Sequence, residues 1–274
     1  MICWDVAVEK LSSLVEHFNV LWPESGIADW DRPGLMLGEL TSDVKTVLLT
    51  VDVTMEVLQQ AKSIGANLVL SHHPMFLRGV YSLSESATKG ATTAFAIKNE
   101  IAVFAAHTNA DFAIDGVSST LARALGLGSL DYLDPATKQG FFGLLSEPIT
   151  LLEFSRAVAK ALPSVAQGIK VAGDPNRMIS RVGLVAGAGD SYLDLAQGVN
   201  LDLFITSDLR HHPSQDFIEQ SRIIGGAALM DISHWAAEWL WLETAQGQLS
   251  DKFGAVSFIV SDLSTDPWDF VVMQ

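Results

Sequence analysis

Three short motifs place histidine and carboxylate side chains directly after apolar runs of the chain. The motifs NLVLSHHP, IAVFAAHTNAD and AALMDISHWAAEW supply six such residues: His72, His73, His107, Asp111, His234 and Glu238. Neutral imidazole and carboxylate are ligands that zinc, iron(II) and manganese accept. One ion takes three or four such groups, so six predict room for two divalent ions, which would act as a paired Lewis acid. The residue types do not choose among the three metals.

The third motif has the most defined geometry. Ser233 is a predicted N-cap, which puts His234 at the first helical position and Glu238 four residues later. Residues four apart share a helix face, so both side chains would project together. The alternative is an ordinary exposed helix pair, which the apolar composition of this helix, with Trp235 and Trp241, disfavours.

The sequence leaves alternative structures open for the other two motifs. HTNAD is predicted to form a loop or a single helical turn, and a capping aspartate beside a core histidine is the alternative. In a strand, His72 and His73 would point to opposite sides, so at least one must lie beyond the strand end. An inert surface pair is the alternative for these two histidines.

A second histidine pair, His211 and His212 in SDLRHHP, has several open roles. The pair could complete the site, bind a substrate anion with Arg210, shuttle protons, hydrogen-bond to ligand carboxylates, or be structural. His17 is predicted to be a helix-surface residue. Cys3 is the single cysteine, which excludes an intrachain disulfide and a cysteine-based metal site.

Alternating strands and helices are predicted to position the first two motifs. The segments VKTVLLTVDV, NLVLS and IAVFAAH are predicted strands, and TMEVLQQAKSIG and KGATTAFAIKNE are the helices between them. An amphipathic helix over 6–20 precedes them. This order predicts right-handed crossovers and a largely parallel sheet, with ligands beyond the carboxyl ends of the strands.

The pattern resumes in the second half and resembles the first half weakly. Strands are predicted at SRVGLVAGAG, LDLFITS, GGAALMDIS and GAVSFIV, and helices at DSYLDLAQG, HPSQDFIEQS and HWAAEWLWLETA. We therefore expect an α/β protein with two similar lobes of mostly parallel sheet. The first lobe would span 1–130, a connector with a small structured insert 131–178, and the second lobe 179–274. Two such lobes that face each other would form a cleft between them.

Charge and hydropathy narrow the class of partner. The chain has 17 basic and 32 acidic residues, a formal charge of −15, which makes nucleic acid and anionic membranes unlikely as general partners. No apolar run approaches the roughly 20 residues of a membrane span, and the start does not resemble a signal peptide. A cytoplasmic protein is expected. The glycines of GLVAGAGDS lack dinucleotide-binding spacing and predict a tight turn.

The motifs SHHP, AAHTNAD, ITSDLRHHP and SHWAAE together resemble those of the Nif-three-like family, also labelled GTP cyclohydrolase I type 2 homologues. The resemblance extends from DWDRPGLMLG to the final strands. It implies two α/β lobes, a dinuclear metal centre between them and a toroidal hexamer built from dimers. It carries the metal ligands onto His72, His73, Asp111, His234 and Glu238, and it matches His107 to the histidine of the family's H-T-x-x-D motif. Glu238 is the expected bridging carboxylate, with Asp111 as the alternative.

Two departures from the family pattern bear on the substrate. Thr206, Ser207 and Asp208 stand where the family has T-G-E, and GFFGLL replaces its G-x-G-R segment. The loss of that arginine weakens the case for a phosphate-rich substrate at this position.

The leading functional prediction is a metal-dependent hydrolase that acts on a small-molecule substrate of unknown identity. The alternative is a non-catalytic metal-binding scaffold or regulatory protein. A third hypothesis is that the protein is a two-metal phosphoesterase. An enzyme requires an exchangeable water on the metal ions and an opening of substrate size, whereas a scaffold can keep a closed ligand shell.

Overall fold

The computed structural model describes residues 8–111 and 113–273 of the 274-residue chain. Cys3 and the first residues of the predicted amphipathic helix lie outside the described residues. The chain divides into two compact units, the first made of Met1–Ala113 and Leu242–Thr265, the second of Ile114–Trp241 and Asp266–Gln274. Both units contain a sheet and helices, which confirms the predicted α/β class with two lobes.

The first unit contains one five-stranded sheet with helices from the crossovers. Its elements are β1 (Glu9–Lys10), α1 (Leu11–Leu21), a 3₁₀ turn (Glu24–Gly26), β2 (Gly34–Leu37), β3 (Asp43–Val44), β4 (Thr46–Thr50), α2 (Met55–Ser63), β5 (Leu68–Ser71), α3 (Thr88–Lys98), β6 (Ala102–Ala105) and α4 (Thr108–Asp111). The sheet order is β13-β4-β5-β6-β2, where β13 is Ser257–Val260 from the end of the chain. Among the described strands of this five-stranded sheet, only β2 pairs antiparallel, so the predicted parallel sheet is present. β1 and β3 form a separate antiparallel pair.

The buried strands of this sheet are apolar on both faces because helices cover both faces. Leu48 and Val69 pack with Val57, Leu58 and Ala96 from the crossover helices, and all five side chains are buried. β5 and β6 run parallel, with Ser71 paired to Ala105 at their carboxyl ends. The residues that follow these two strands, His72, His73 and His107, therefore emerge at the same edge of the sheet.

The second unit contains a six-stranded mixed sheet. Its elements are α5 (Val117–Ala124), β7 (Gly128–Asp134), β8 (Gln139–Thr150), α6 (Leu151–Ala161), β9 (Lys170–Ala172), β10 (Met178–Ala188), a 3₁₀ turn (Asp190–Tyr192), α7 (Leu193–Gly198), β11 (Leu203–Ser207), α8 (His211–Ile224), β12 (Ala228–Asp231) and the start of α9 (His234–Lys252). The residues of α9 from Leu242 onward belong to the first unit. The sheet order is β7-β8-β10-β11-β12-β9. The central strands β10, β11 and β12 pair in parallel, and the flanking strands pair antiparallel.

Two segments of the chain belong to sheets that the order of elements along the sequence does not predict. The predicted connector, residues 131–178, contains β8 and the edge strand β9. β8 pairs antiparallel with β10, and β9 pairs antiparallel with β12. The final predicted strand, grouped by sequence with the second lobe, pairs with β4 of the first sheet through Phe258 and Val47. Strand pairing depends on distant partners, so the local apolar pattern located these strands without indicating their sheets.

The helix that carries the third motif begins where predicted. Ser233 Oγ accepts a hydrogen bond from the Ala236 amide at 3.1 Å and donates one to Asp266 Oδ2 at 2.6 Å, and the helix starts at His234. Among the described residues, none of the helices combines the length and apolar character that crossing a bilayer requires.

We expect Ser233→Ala to lower the free energy of unfolding by about 1–2 kcal/mol, because the variant loses the cap of α9 and leaves Asp266 without its hydroxyl donor. Urea denaturation measures the change. Thr54→Ala is the matched control, since Thr54 caps α2 by accepting from the Val57 amide at 3.2 Å. The control should lose about 1 kcal/mol. An unchanged Ser233→Ala midpoint would contradict the capping role.

Candidate metal centre

Three predicted histidines come together in the first unit. The ring centroids of His72, His73 and His107 are 5.0–5.4 Å apart in each pair. One nitrogen of each ring lies within 4.8 Å of a nitrogen of each of the other two rings. His72 is fully buried, and the side chain of His73 is 20% exposed. The spacing and donor type fit a metal ion.

The Nδ1 atom of each of these rings lies against an oxygen that can only accept a hydrogen bond. His72 Nδ1 is 2.9 Å from the Ala106 carbonyl, His73 Nδ1 is 2.7 Å from Asp52 Oδ1, and His107 Nδ1 is 2.9 Å from Asp31 Oδ2. The ring proton must therefore be on Nδ1, because neither a carbonyl nor a carboxylate donates. In the neutral ring, Nε2 then carries a lone pair, as in metal-binding histidines backed by carboxylates.

HTNAD forms the predicted single turn and brings Asp111 to the cluster. The turn Thr108–Asp111 begins directly after His107, and the Asp111 amide donates to the His107 carbonyl at 3.0 Å. Asp111 Oδ1 lies 3.7 Å from His72 Nε2, and the Asp111 side chain is 20% exposed. A carboxylate is thus added to the three imidazoles.

Asp31 is a buried carboxylate that holds His107, and sequence reasoning missed it. It is 1% exposed, and Oδ2 accepts from the Thr108 amide at 3.2 Å and the Thr108 hydroxyl at 2.7 Å. Burial raises the pKa of Asp31, but hydrogen bonds from His107 and Thr108 outweigh it and lower the pKa to about 2. Asp31 is therefore ionised at any physiological pH and keeps the His107 proton on Nδ1.

The Asp52 carboxylate holds the ring of His73, as Asp31 holds the ring of His107. While Oδ1 faces His73, Oδ2 accepts a hydrogen bond from the Thr265 hydroxyl at 2.5 Å. Asp52 follows the parallel strand β4, so the same strand-end rule that found the histidines could have found it. Thr265 lies far away in sequence, and no local signal pointed to it.

In the second unit, His234 and Glu238 meet on one face of α9, as their spacing predicted. His234 Nε2 lies 2.9 Å from Glu238 Oε1, while Nδ1 lies 2.8 Å from Asp208 Oδ2. With Nδ1 protonated, the facing nitrogen and oxygen both present lone pairs, so the short distance requires a proton or a metal ion between them. Glu238 is 2% exposed, and burial of a lone carboxylate would be unfavourable.

The carboxylates of Glu238 and Asp208 determine the direction in which the pKa of His234 moves. Burial lowers the pKa of His234, but Glu238 and Asp208 raise it well above its usual value.

Asp208 adopts a left-handed backbone conformation, with φ of 56°, directly after β11. The sequence singled out Asp208 only as a departure from the T-G-E pattern, and its contact with His234 was not foreseen.

Gly187 provides the space that Glu238 occupies. It has a φ of +77°, and a Cβ there would lie 2.5 Å from Glu238 Oε1 and 3.4 Å from His234 Nε2. The sequence predicts a tight turn at the glycines of GLVAGAG. Gly187 instead lies within β10, at an irregularity in its pairing with β11, and its missing side chain makes room for the carboxylate.

The remaining histidines lie in other surroundings. His211 and His212 open α8 with ring centroids 5.1 Å apart, and both are exposed. Arg210 contacts Asp190, and His17 packs edge-on against Phe253 at 5.3 Å. The candidate roles of this second histidine pair stay predictions.

We expect Gly187→Ala to displace Glu238 and to weaken divalent-metal binding by about ten-fold or more, since its Cβ would overlap the carboxylate. A competition titration with a chromophoric chelator measures this. Gly225→Ala is the control, because Gly225 has a φ of +71° and nothing within 4 Å of a Cβ. Both variants should lose about 1 kcal/mol through backbone strain. Equal metal affinities would refute the steric account.

We expect Asp31→Asn to destabilise the metal-free protein by roughly 2 kcal/mol at neutral pH. The folded pKa of Asp31, about 2, lies below the ordinary 3.8, so its stabilisation is fully present above pH 3.8 and is lost as pH falls towards 2. The difference in unfolding free energy between the native protein and the variant should therefore shrink from pH 5 to pH 3. A difference independent of pH would show that the carboxylate charge is not the cause.

Comparisons with known proteins identify the family of this chain. The family model described as Duf34/NIF3 (NGG1p interacting factor 3) matches residues 9–267. A GTP cyclohydrolase 1 type 2 homolog of Streptomyces coelicolor is 40% identical over 270 residues, which cover 94% of this chain and 93% of that protein.

Solved structures share the fold. A Bacillus cereus protein related to NIF3 superposes with a TM-score of 0.88 at 23% identity, covering 97% of this chain and 100% of that one. A Staphylococcus aureus hypothetical protein superposes with a TM-score of 0.85 at 25% identity, covering 96% and 99%. The matched range includes every predicted metal ligand, and the family expected from the sequence is confirmed: the chain belongs to the DUF34/NIF3 family.

Proposed function

We propose that this protein binds two divalent metal ions and is a metal-dependent hydrolase. The proposed ligands are the four imidazoles and two carboxylates of the three sequence motifs: His72, His73, His107, Asp111, His234 and Glu238. One observation carries the proposal. All four histidines hold Nδ1 against an acceptor-only oxygen, which leaves Nε2 as the coordinating atom.

The donor set limits the metal and its chemistry. Nitrogen and carboxylate oxygen donors without thiolate suit zinc, iron(II) or manganese. When bound, such ions would supply Lewis acidity to a carbonyl or phosphoryl oxygen of the substrate. The chain's own contribution is to fix each ring through Asp31, Asp52 and Asp208, so that little reorganisation is needed when the ions bind.

Accessibility favours an enzyme over a closed scaffold. The side chains of His73, Asp111 and His234 are 20%, 20% and 28% exposed, whereas His72 is 0% exposed. Part of the ligand set is thus open to small molecules, as a reaction requires. A scaffold that used metal only for stability would gain from burying all of the ligands.

The Streptomyces coelicolor relative makes GTP the first substrate to test, because its name is GTP cyclohydrolase 1 type 2 homolog. Release of phosphate from nucleotides is the competing reaction of the same metal chemistry. Chromatography of one reaction mixture separates a product with an opened ring from a product that has lost phosphate. Activity of either kind must disappear on chelation and return on adding metal, and activity indifferent to metal would refute the proposal.

We expect the native protein to contain about two ions per chain by elemental mass spectrometry, and His73→Ala and Glu238→Ala each to contain fewer. His17→Ala and His211→Ala are matched controls that remove an imidazole elsewhere and should keep the native content. Circular dichroism establishes that each variant is folded. A native chain that stays empty after incubation with zinc, iron(II) and manganese, or controls that lose metal as the ligand variants do, would contradict the assignment.

A further inference from the structure

Trp30 is an exposed tryptophan that lies against a proposed metal ligand of the first unit. Its indole packs edge-on against the ring of His107, with 5.7 Å between the ring centroids and an interplanar angle of 79°. Trp30 is nevertheless 63% exposed, whereas Trp22 and Trp241 are buried. An indole is large and mostly apolar, so the contact with His107 leaves much of its surface available to another ring.

Hydrogen bonds fix the short segment that carries Trp30. The Asp31 amide donates to the Ala28 carbonyl at 2.9 Å, which closes a tight turn around the tryptophan. Arg32 Nη1 donates to the carbonyls of the two residues that flank Trp30. The Ala28 amide donates to Thr108 Oγ1 at 3.0 Å and so attaches this turn to the HTNAD turn. The backbone on both sides of the indole is therefore held in place.

The surroundings of the indole favour a planar ring as its occupant. A surface that is already ordered binds a ring with a small loss of conformational entropy. The exposed charged residues of this turn, Asp29 and Arg32, have opposite signs, so their charges do not select a cation over a neutral ring. Nucleobases and similar heterocycles stack on an aromatic side chain through their flat faces, whatever their exact substituents. A heterocycle is therefore the class of group that fits Trp30 best.

The contact with His107 places such a ring beside the proposed metal ligands. Centroids of stacked aromatic rings lie about 4.5–7 Å apart, so a ring on Trp30 lies at most roughly 13 Å from the centre of the His107 ring. A nucleotide is long enough to have its base at Trp30 while another part of the molecule reaches the ligands. A simple phosphoester without a ring would make no use of the indole.

We propose that Trp30 recognises the substrate by stacking on a planar heterocyclic ring, and that the substrate class is the purine nucleotides or closely similar heterocycles. Because this recognition serves the same site, the inference rests on the proposed function. An indole supplies no metal ligand. Removing it should therefore change which molecules bind without changing how many ions the chain contains.

Calorimetric titration of the metal-loaded protein tests the stacking role. The probes are GTP and inorganic triphosphate, which lacks the ring. We expect Trp30→Leu to bind GTP about ten-fold more weakly than the unaltered chain does and to bind triphosphate equally well, while Trp30→Phe should keep part of the GTP affinity. Trp268→Leu is the matched control, because Trp268 is 64% exposed, and it should bind both probes normally.

Three results of this titration would overturn the proposal. The first is an unaltered chain that does not bind GTP. The second is a Trp30→Leu variant with full GTP affinity, and the third is a variant whose affinities for GTP and triphosphate fall by the same factor. Fluorescence gives an independent measurement, since a stacked purine quenches indole emission. GTP should quench the Trp268→Phe variant more than Trp30→Phe, and equal quenching would contradict the contact.

Metal content separates a failure of this inference from a failure of the proposed function. By elemental mass spectrometry, Trp30→Leu should contain as many ions as the unaltered chain. A loss of ions in this variant would show that the indole supports the His107 ring instead of recognising substrate, and would overturn the inference alone. An unaltered chain without ions refutes the proposed function, whereas GTP binding that still depends on Trp30 would support the stacking role.

Sedimentation tests the competing assignment of Trp30 to a contact between copies of the chain. We expect Trp30→Leu and Trp268→Leu to have the same average mass in solution as the unaltered chain. A lower mass for Trp30→Leu alone would assign the indole to an interface between copies and overturn the substrate role.

Discussion

An imidazole ring offers a metal ion a usable lone pair only when its other nitrogen holds the proton, and a buried ring also needs an acceptor for that proton. This protein meets the requirement four times, with the Ala106 carbonyl and the carboxylates of Asp31, Asp52 and Asp208. Most of the local structure serves those four contacts. The order of parallel strands brings His72, His73, His107 and Asp52 to one sheet edge, and the left-handed residue after β11 directs Asp208 at His234.

The same contacts explain how carboxylates can be buried in numbers here. Asp31 is kept ionised by hydrogen bonds from Thr108 and His107, which outweigh the loss of solvent. Glu238 is placed against His234 because Gly187 leaves the volume free. Asp31 and Gly187 are not among the six candidate ligands, yet they determine where His107 and Glu238 lie. The fit to a metal ion therefore depends on residues beyond the six candidate ligands.

The sequence predicted the parts of this arrangement that are encoded locally. The apolar runs located the parallel strands, helical spacing paired His234 with Glu238, and Ser233 marked the start of α9. Other parts depend on contacts between distant residues. Asp31 lies in a turn-rich segment and meets His107 only after β2 pairs with β6, and β8 is recognisable as a sheet strand only beside β10. The sequence predicts a turn at Gly187. The structure instead requires glycine there because the Glu238 carboxylate, on another element, occupies the space of a side chain, and no neighbouring residue in the sequence indicates that contact.

The pairing of β13 with β4 has a consequence for synthesis on the ribosome. Strand β4 ends at Thr50, but its outer neighbour is Ser257–Val260, near the end of the chain. As the polypeptide emerges, the first sheet can assemble β4, β5 and β6 early, while one side of β4 keeps unpaired amide and carbonyl groups until residues 257–260 have left the tunnel. An open apolar strand edge is a template for aggregation. A nascent chain stalled before residue 257 would therefore carry that open edge and depend on chaperones.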